Sequence, residues 1–391
     1  MKILIVGAGM TGLALAPLLS SQGHIVQIIE KRSSRGNLSQ DAPSVNLTLN
    51  AAGREILREL GLLDQVLSLG ARLTHRQVHQ EGRRAFVQPY GAPDVGWLLS
   101  VKRADLHSIM LEEVRKTQIP TLFKTAFVGY NKTKGVAVVS SSGRLTEISC
   151  DLTVGADGAF SSVRDDIISG EAVSCTRDFI PWHYVTFDIP ARDAHRLQID
   201  SQYLHIWSAP DNLTVGIPNR DQSVSFILIF RAGELLDDRT ALARATKSLL
   251  EYYPELMSLQ QLSLDSSKSA IRRFVESSLT RWSWNDRVVL VGDACHAMYP
   301  FCGLGLNTGL ADVLELARAL ERTQSIREAL RKYENHRQSA AENAKSLSRA
   351  QFDFLLNLST PAKRFDVGLV AASQHNDSSI ASPLYPRLTE I

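Results

Sequence analysis

Apolar positions along the chain change period repeatedly, and each change marks an element. Residues 2–6, Lys-Ile-Leu-Ile-Val, form a short apolar run of strand character. From Leu13 the period lengthens, with Leu13, Leu15, Leu18 and Leu19 at roughly helical spacing, and residues 24–29 return to a β-branched run ending on Glu30. The same reading gives a strand at 45–49 and a helix over 51–60, with Ile56, Leu57 and Leu60 on one face and Gly61 as its stop. Residues 72–99 are strand-like, with turns at Gly82 and Tyr90-Gly91; 103–114 is helical; 121–148 reads as strands broken at 131–132 and 140–143. Strands dominate 179–230, clearest at 203–207, 214–217 and 223–230. This predicts a β-sheet unit inserted into a first, α/β unit. A buried strand at 287–291, a loop at 300–307, a helix at 308–320 and a long helical tail capped by Ser325 and reaching about 358 complete the chain. Pro17 falls inside the first helix, where it removes a hydrogen bond to Leu13 and predicts a kink costing about 3 kcal/mol.

The first thirty residues carry the clearest chemistry. Gly7-Ala8-Gly9-Met10-Thr11-Gly12 joins the first strand to the first helix, and Glu30 ends the next strand eighteen residues after the third glycine. Gly7 permits the tight turn, Gly9 lets a pyrophosphate approach bare backbone, and Gly12 lets helix and strand pack closely. Glu30 is placed to accept from a ribose hydroxyl, and the helix N-terminus offers N–H groups and about half a positive charge to phosphates. In outline Lys2, the apolar stretch and Ser20-Ser21 resemble a secretory leader, but the second strand and Glu30 give the stretch a structural task. The unit reads as a βαβ dinucleotide cradle.

Composition narrows the partners. The 391 residues are 44% hydrophobic and 21% charged with a formal net charge of +2, which suits a globular protein of two or three packed units. No Lys/Arg block approaches a nucleic-acid patch and no window of eighteen apolar residues exists, so the expected ligand is a small molecule, with no nucleic acid and no membrane anchor. Cys150, Cys175, Cys295 and Cys302 show no disulfide or zinc spacing, which fits a reducing cytoplasm. Cys295-His296 with Cys302 lacks a fourth ligand, and no metal is expected. Oligomeric state is not readable.

Two further strand ends repeat the theme of glycine beside acid: Val154-Gly155-Ala156-Asp157-Gly158-Ala159, followed by Ser161-Ser162-Val163-Arg164, and Gly292-Asp293-Ala294-Cys295-His296-Ala297. Alone, Asp157-Gly158 is a β-turn; three such ends suggest one extended ligand crossing the edge of an open sheet. Together they resemble the three signatures of single-component FAD-dependent aromatic hydroxylases, over nearly the whole chain. Within that class the resemblance is greatest to the kynurenine hydroxylases, through Ser44-Val45-Asn46-Leu47, Leu204-His205-Ile206-Trp207, Ile217-Pro218-Asn219 and the run from Pro300-Phe301 to Asn307-Thr308-Gly309.

The resemblance implies an α/β fold: a Rossmann-like FAD-binding domain of the p-hydroxybenzoate hydroxylase type, with an inserted β-sheet substrate domain and a C-terminal helical segment. It places the FAD-binding domain at 1–71, 100–175 and 270–345, the substrate domain at 72–99 and 176–269, and the C-terminal segment at 346–391. The implied FAD contacts are the glycine run 7–12, Glu30, Lys31, Arg32, Thr48, Arg103, Asp157, Ser162, Asp293, Gly303, Gly305, Leu306 and Asn307. Asp293 would hold the ribityl chain, Arg103 would reach the phosphates or ribityl hydroxyls, and Leu306-Asn307 would abut the ring. Gly303 and Gly305 permit close backbone approach on their own account, and the helix beyond them aims its positive end at a ring that becomes anionic on reduction. His296 belongs to a motif that is structural in the family.

In this class the cofactor carries the chemistry. NADPH or NADH reduces FAD, O2 adds to give a flavin C4a-hydroperoxide, and its terminal oxygen passes to an electron-rich aromatic carbon; no catalytic side chain is implied. A second G-x-G-x-x-G is absent, which fits transient nicotinamide binding. Arg76 and Tyr90, fourteen residues apart, match the spacing of the arginine and tyrosine that grip the amino-acid carboxylate of a kynurenine-like substrate. Tyr385, in Pro383-Leu384-Tyr385, would complete that site. Three positions depart from the family: Gln351 replaces an asparagine, Leu304 a loop glutamine and Val224 a pocket phenylalanine, so a reshaped pocket is expected. A non-hydroxylating oxidase, reductase or redox sensor on the same fold remains an alternative.

Overall fold

The computed structural model describes residues 1–34, 46–81, 84–91, 96–169, 173–232, 237–257 and 270–357. Two large sheets organise it. The first has six strands in the order Ser283–Trp284, Val288–Leu290, Leu152–Gly155, Lys2–Val6, Ile25–Glu30, Thr121–Phe123, parallel throughout except at Ser283–Trp284. Its central strands are buried on both faces, so they read as unbroken apolar runs. Helices Met10–Ser21, Arg103–Lys116 and Leu304–Arg322 supply much of the surrounding core. The first helix runs on through Pro17 to Ser21.

The parallel strands end side by side at Gly7, Glu30, Ala156 and Val291, so all three glycine-acid turns lie along one edge of this sheet. That edge is where an open α/β sheet holds its ligand.

The second sheet has seven strands in the order Arg272–Leu279, Cys175–Ile189, Val224–Arg231, Asn212–Pro218, Tyr203–Ala209, His75–His79, Phe86–Pro89. The segment expected to be donated whole from 72–99 divides. His75–His79 and Phe86–Pro89 join this sheet, whereas Ala71–Leu73 and Leu98–Val101 pair with Leu47–Leu49 in a small sheet between the two large ones. The helix Asp238–Tyr252, started by Asp237 accepting from the Arg239 and Thr240 N–H groups, covers one face through Leu242, Ala245 and Leu249. The other face turns toward the first sheet and the end of the 32-residue helix Ile326–Asn357, where Ser208 Oγ donates to the Leu355 carbonyl oxygen.

The helix expected at 308–320 begins four residues sooner, at Leu304. Gly303 adopts φ +64°, which turns the chain from the 3-10 turn Pro300–Cys302 straight into the helix. Its N-terminal turn therefore lies beside the sheet edge. Among the described residues no helix is long and apolar enough to cross a membrane.

Candidate active site

One cavity of about 580 Å³ runs from the edge of the six-stranded sheet to the inner face of the seven-stranded sheet. The dinucleotide end is built from Gly7, Ala8, Gly9, Met10 and Thr11 with Glu30, Lys31, Arg32, Arg103, Asp157 and Ser162. The middle holds Thr48, Asp293, Gly303, Gly305 and Leu306, and the far end holds Arg76, Tyr90 and Gln351 against the apolar side chains of Leu204, Ile206, Leu213, Val215, Ile227 and Ile229. Tyr385 lies outside the described residues.

The glycine turn has the geometry its sequence demands. Gly7 has φ +109°, and a side chain there would strike the Ala156 backbone. Gly12 does not line the cavity; a Cβ there would lie inside the van der Waals shell of the Gly7 carbonyl oxygen, which is the close helix–turn packing expected. Gly9 differs, since a Cβ there would meet only the Ala156 carbonyl oxygen at 3.9 Å. The protein leaves that space to something else. Glu30 braces the turn, accepting from the Ala8 N–H at 2.9 Å and the Arg32 N–H at 2.9 Å.

His107, one turn after Arg103 on the same helix, joins this end unannounced by any motif. Its Nε2 lies 2.9 Å from the Ala8 carbonyl oxygen, so that nitrogen carries the hydrogen. Burial lowers its pKa, against the Ala8 bond and Glu30, with Arg103 and Arg32 adding to the lowering. Arg164 stood in the sequence only as part of the run 161–164. Fully buried, it donates to the carbonyl oxygens of Ala159 at 2.8 Å and Ala294 at 3.1 Å, tying the second glycine-acid turn to the third.

Asp157 and Asp293 divide the acidic duties. Asp157 accepts from the Ser161 hydroxyl at 2.5 Å and the Ser162 N–H at 2.7 Å, so its carboxylate closes the turn into helix Ser162–Ile168; burial raises its pKa despite these bonds. Asp293 follows Gly292, held at φ +63°, and keeps an exposed carboxylate on the cavity.

Beneath Asp293 lies a buried charge cluster. Asp312 accepts from His296 Nε2 at 2.5 Å, from the Gly292 N–H at 3.0 Å and from Arg337 Nε at 2.8 Å, while Arg337 also reaches the Thr308 carbonyl oxygen. Cys295 Sγ lies close enough for Cys295, His296 and Asp312 to form a metal-like group, but the Asp312 carboxylate is shared among these donors and neutralised by Arg337. His296 therefore fixes the Gly292 turn and does not line the cavity. Burial alone would raise the Asp312 pKa; the charges of His296 and Arg337 and their hydrogen bonds bring it below the ordinary value. A lowered carboxyl stabilises the fold above its unfolded pKa and loses that contribution as pH falls through the folded one. Asp312→Asn, which strands the Arg337 charge, is expected to cost about 3–5 kcal/mol in chemical denaturation at neutral pH and to flatten the acid limb of the stability profile.

Two expected contacts are corrected. Asn307 does not share the cavity with Leu306: it is buried, with Nδ2 donating to the Thr48 and Gly303 carbonyl oxygens at 2.9 and 2.8 Å and Oδ1 accepting from the Asn50 N–H at 3.0 Å. Its side chain shapes the wall and does not line the cavity. Val224 is not a pocket residue either. Side chains alternate across a strand, so Ile227 and Ile229 face the cavity while Val224, Phe226, Leu228 and Phe230 pack under helix Asp238–Tyr252. Leu304, the third departure, is buried with Cys302 and Ala344.

At the far end Arg76 and Tyr90 are each 5% exposed. The hairpin register sets Gln88 opposite Arg76, and Gln88 Oε1 accepts from Arg76 Nε at 2.9 Å and Nη2 at 2.6 Å, a partner that spacing alone did not reveal. Burial raises the Tyr90 pKa although the nearby Arg76 charge pulls it down, so the phenol stays protonated and able to donate. Burial likewise pushes the Cys302 thiol up to about 12. Phe301 stacks on Phe352 at 3.8 Å between centroids, which anchors the turn carrying Gln351.

The residues present fit FAD: a glycine-lined cradle with spare room at Gly9, three cations at its rim, an exposed acid mid-cavity and a helix N-terminus beyond it. Comparison with known proteins agrees. A family model described as FAD binding domain matches residues 1–348. The chain is 32% identical over 365 residues to a kynurenine 3-monooxygenase of Salinispora arenicola (strain CNS-205), covering 90% of this chain and 80% of that one. It is 30% identical over 326 residues to a kynurenine 3-monooxygenase of Dictyostelium discoideum, covering 82% and 70%. Among solved structures it resembles the tetrameric form of 2-methyl-3-hydroxypyridine-5-carboxylic acid oxygenase, with a TM-score of 0.75, 21% identity and 92% of each chain covered. Klebsiella pneumoniae HpxO complexed with FAD and uric acid aligns with a TM-score of 0.74 and 19% identity, over 96% and 92%.

Proposed function

From the premise that the chain belongs to the FAD-binding-domain family, and is an FAD-dependent aromatic hydroxylase similar to the kynurenine 3-monooxygenases, we propose that it hydroxylates an aromatic amino acid or related aromatic carboxylate, with NADPH or NADH as reductant and O2 as oxygen donor. The observation that carries this reading is the buried Arg76 beside Tyr90 at the far end of the cavity that begins at the dinucleotide cradle. A guanidinium and a neutral phenol in a pocket whose only other polar side chain at that end, among the described residues, is Gln351 suit a carboxylate far better than a plain phenol.

FAD, when bound, accepts hydride and makes dioxygen able to attack an electron-rich ring. The chain's own residues bind, orient and keep water out. Backbone N–H groups of the glycine turn and the start of helix Met10–Ser21 receive the pyrophosphate, Glu30 the ribose, and Lys31, Arg32 and Arg103 the remaining negative charge. Asp293 takes the ribityl hydroxyls, while Gly303 and Gly305 admit the ring beside Leu306. Arg76 and Tyr90 hold the substrate carboxylate and point its ring away from them, toward the middle of the cavity. The isoleucine- and leucine-lined wall excludes water. On a kynurenine-like ring the aniline nitrogen activates the carbon to be oxygenated, so no enzyme base is needed. In this assignment 1–71, 100–175 and 270–345 serve the cofactor, the hairpin within 72–99 and 176–269 serve the substrate, and the C-terminal segment that starts at 346 contributes Gln351.

Binding of an aromatic amino acid is expected to accelerate NADPH oxidation, with oxygen appearing in product. Reductant use unaffected by every aromatic tried, with all oxygen recovered as peroxide, would favour an oxidase or sensor. Turnover without oxygen would favour a reductase.

A further inference from the structure

Two short stretches, Asn46-Leu47 and 217–219, meet where the small sheet touches the seven-stranded sheet. Asn46 and Ser100 belong to the side that carries Thr48; Asn219 and Ser225 belong to the side that carries Ile217, Ile227 and Ile229. All four polar residues are buried, none more than 4% exposed, and Asn46 also lines the cavity. Their hydrogen bonds close a ring. Asn46 Nδ2 donates to Asn219 Oδ1 at 2.5 Å, Asn219 Nδ2 donates to Ser225 Oγ at 3.2 Å, and Ser225 Oγ donates back to Asn46 Oδ1 at 3.2 Å. The second hydrogen of each amide goes outward, from Asn46 to Ser100 Oγ at 3.0 Å and from Asn219 to Ser223 Oγ at 2.9 Å. Reversing the Asn46 amide alone would set its carbonyl against that of Asn219, and reversing both would set the Asn219 carbonyl against Ser223 Oγ, which already donates to Asp221, so the bonds around the ring fix the orientation.

We propose that Asn46 is a positioning residue for oxygen transfer: the closed ring locks the cofactor side of the cavity to its substrate wall and keeps the seam between them dry. The path is short. Asn46 leads through Leu47 to Thr48, whose carbonyl oxygen is held by Asn307, which also holds the Gly303 carbonyl oxygen. Ser225 lies on the same strand and face as Ile227 and Ile229. A buried network whose amide hydrogens are all satisfied is rigid, whereas one member removed strands the others and invites water. Water at this seam would divert activated oxygen to peroxide.

The ring is tested first without turnover, by thermal unfolding of the FAD-loaded protein. Asn46→Ala and Ser225→Ala each open the same ring, so the midpoint of the double variant is expected close to that of the worse single variant. Additive losses would overturn the ring. The turnover arm rests on the monooxygenase reading. In both variants the peroxide formed per NADPH oxidised, with aromatic substrate present, is expected to rise roughly threefold or more, with the Michaelis constant and FAD content within about twofold of wild type. An unchanged peroxide fraction in folded, FAD-loaded Ser225→Ala, the milder of the two, would overturn the positioning role. Wild type that hydroxylates nothing would refute the reading beneath it and that role together, while the additivity arm judges the ring by itself.

Discussion

Replacing Arg76 with alanine is expected to raise the Michaelis constant for the aromatic substrate by about ten- to a hundredfold while the purified protein keeps its full complement of FAD. The magnitude follows from the loss of a charge-assisted hydrogen-bonded pair worth roughly 1.5–3 kcal/mol. The selectivity follows from geometry, because Arg76 stands on strand His75–His79 at the substrate end, away from the glycine turn at the other. Arg76→Lys keeps a charge but loses the planar fork, and is expected to recover only part of the loss. Gln88→Leu leaves the guanidinium in place but frees its Nε side, so a smaller rise is expected. If substrates lacking a carboxylate were the good ones and Arg76→Ala did not affect them, the clamp would be wrong.

The second large effect concerns two glycines that a motif treats alike and the structure does not. Gly9→Ala is expected to weaken FAD binding by about five- to 150-fold, the range of about 1–3 kcal/mol that overpacking costs, while the stability of the cofactor-free protein stays at the wild-type value. The protein has room for that methyl; a pyrophosphate bound against the turn would not leave it. Gly12→Ala is expected to lower the stability of the cofactor-free protein itself, since its Cβ would collide with the Gly7 carbonyl oxygen and press on Ile5 Cγ2 at 3.3 Å. Flavin absorbance after gel filtration, beside chemical denaturation of the stripped protein, separates the two. A Gly9→Ala protein that retained FAD would mean that no phosphate lies at that turn.

Where sequence reading succeeded, the chemistry was local. A glycine turn between a strand and a helix is legible because only certain residues fit it, and the acid eighteen positions on needs only the next strand to place it. The family resemblance singled out Arg76 and Tyr90 by their spacing, and both line the cavity: Arg76 lies opposite Gln88 in the hairpin, and Tyr90 follows the end of its second strand. Gln88 remained hidden because an exposed-looking strand glutamine carries no signal until its partner strand is known.

The misplacement of Val224 has a different cause. Strand Val224–Arg231 is buried on both faces, by the cavity on one side and helix Asp238–Tyr252 on the other, so its sequence lacks the polar alternation that tells the faces apart. A one-residue difference of parity moves a side chain from pocket to core. The covering helix was itself overlooked, although Asp237 at its start and Leu242, Ala245, Thr246 and Leu249 along one face carry a helical period. Arg164, His107 and Asn46 act through contacts 99 or more residues away in sequence, to Ala294, Ala8 and Asn219, and no local pattern encodes such pairs.

The central claim is that this cavity joins an FAD site to a carboxylate clamp and uses the pair to oxygenate an aromatic ring. The most direct measurement supplies the FAD-loaded protein with NADPH and isotopically labelled O2, together with kynurenine, ring-substituted kynurenines, tryptophan, anthranilate and salicylate in turn, and weighs the products. At least one aromatic carboxylate should both accelerate NADPH oxidation and emerge carrying a single labelled oxygen atom. Label found only in peroxide, with no aromatic altering the rate, would contradict the account.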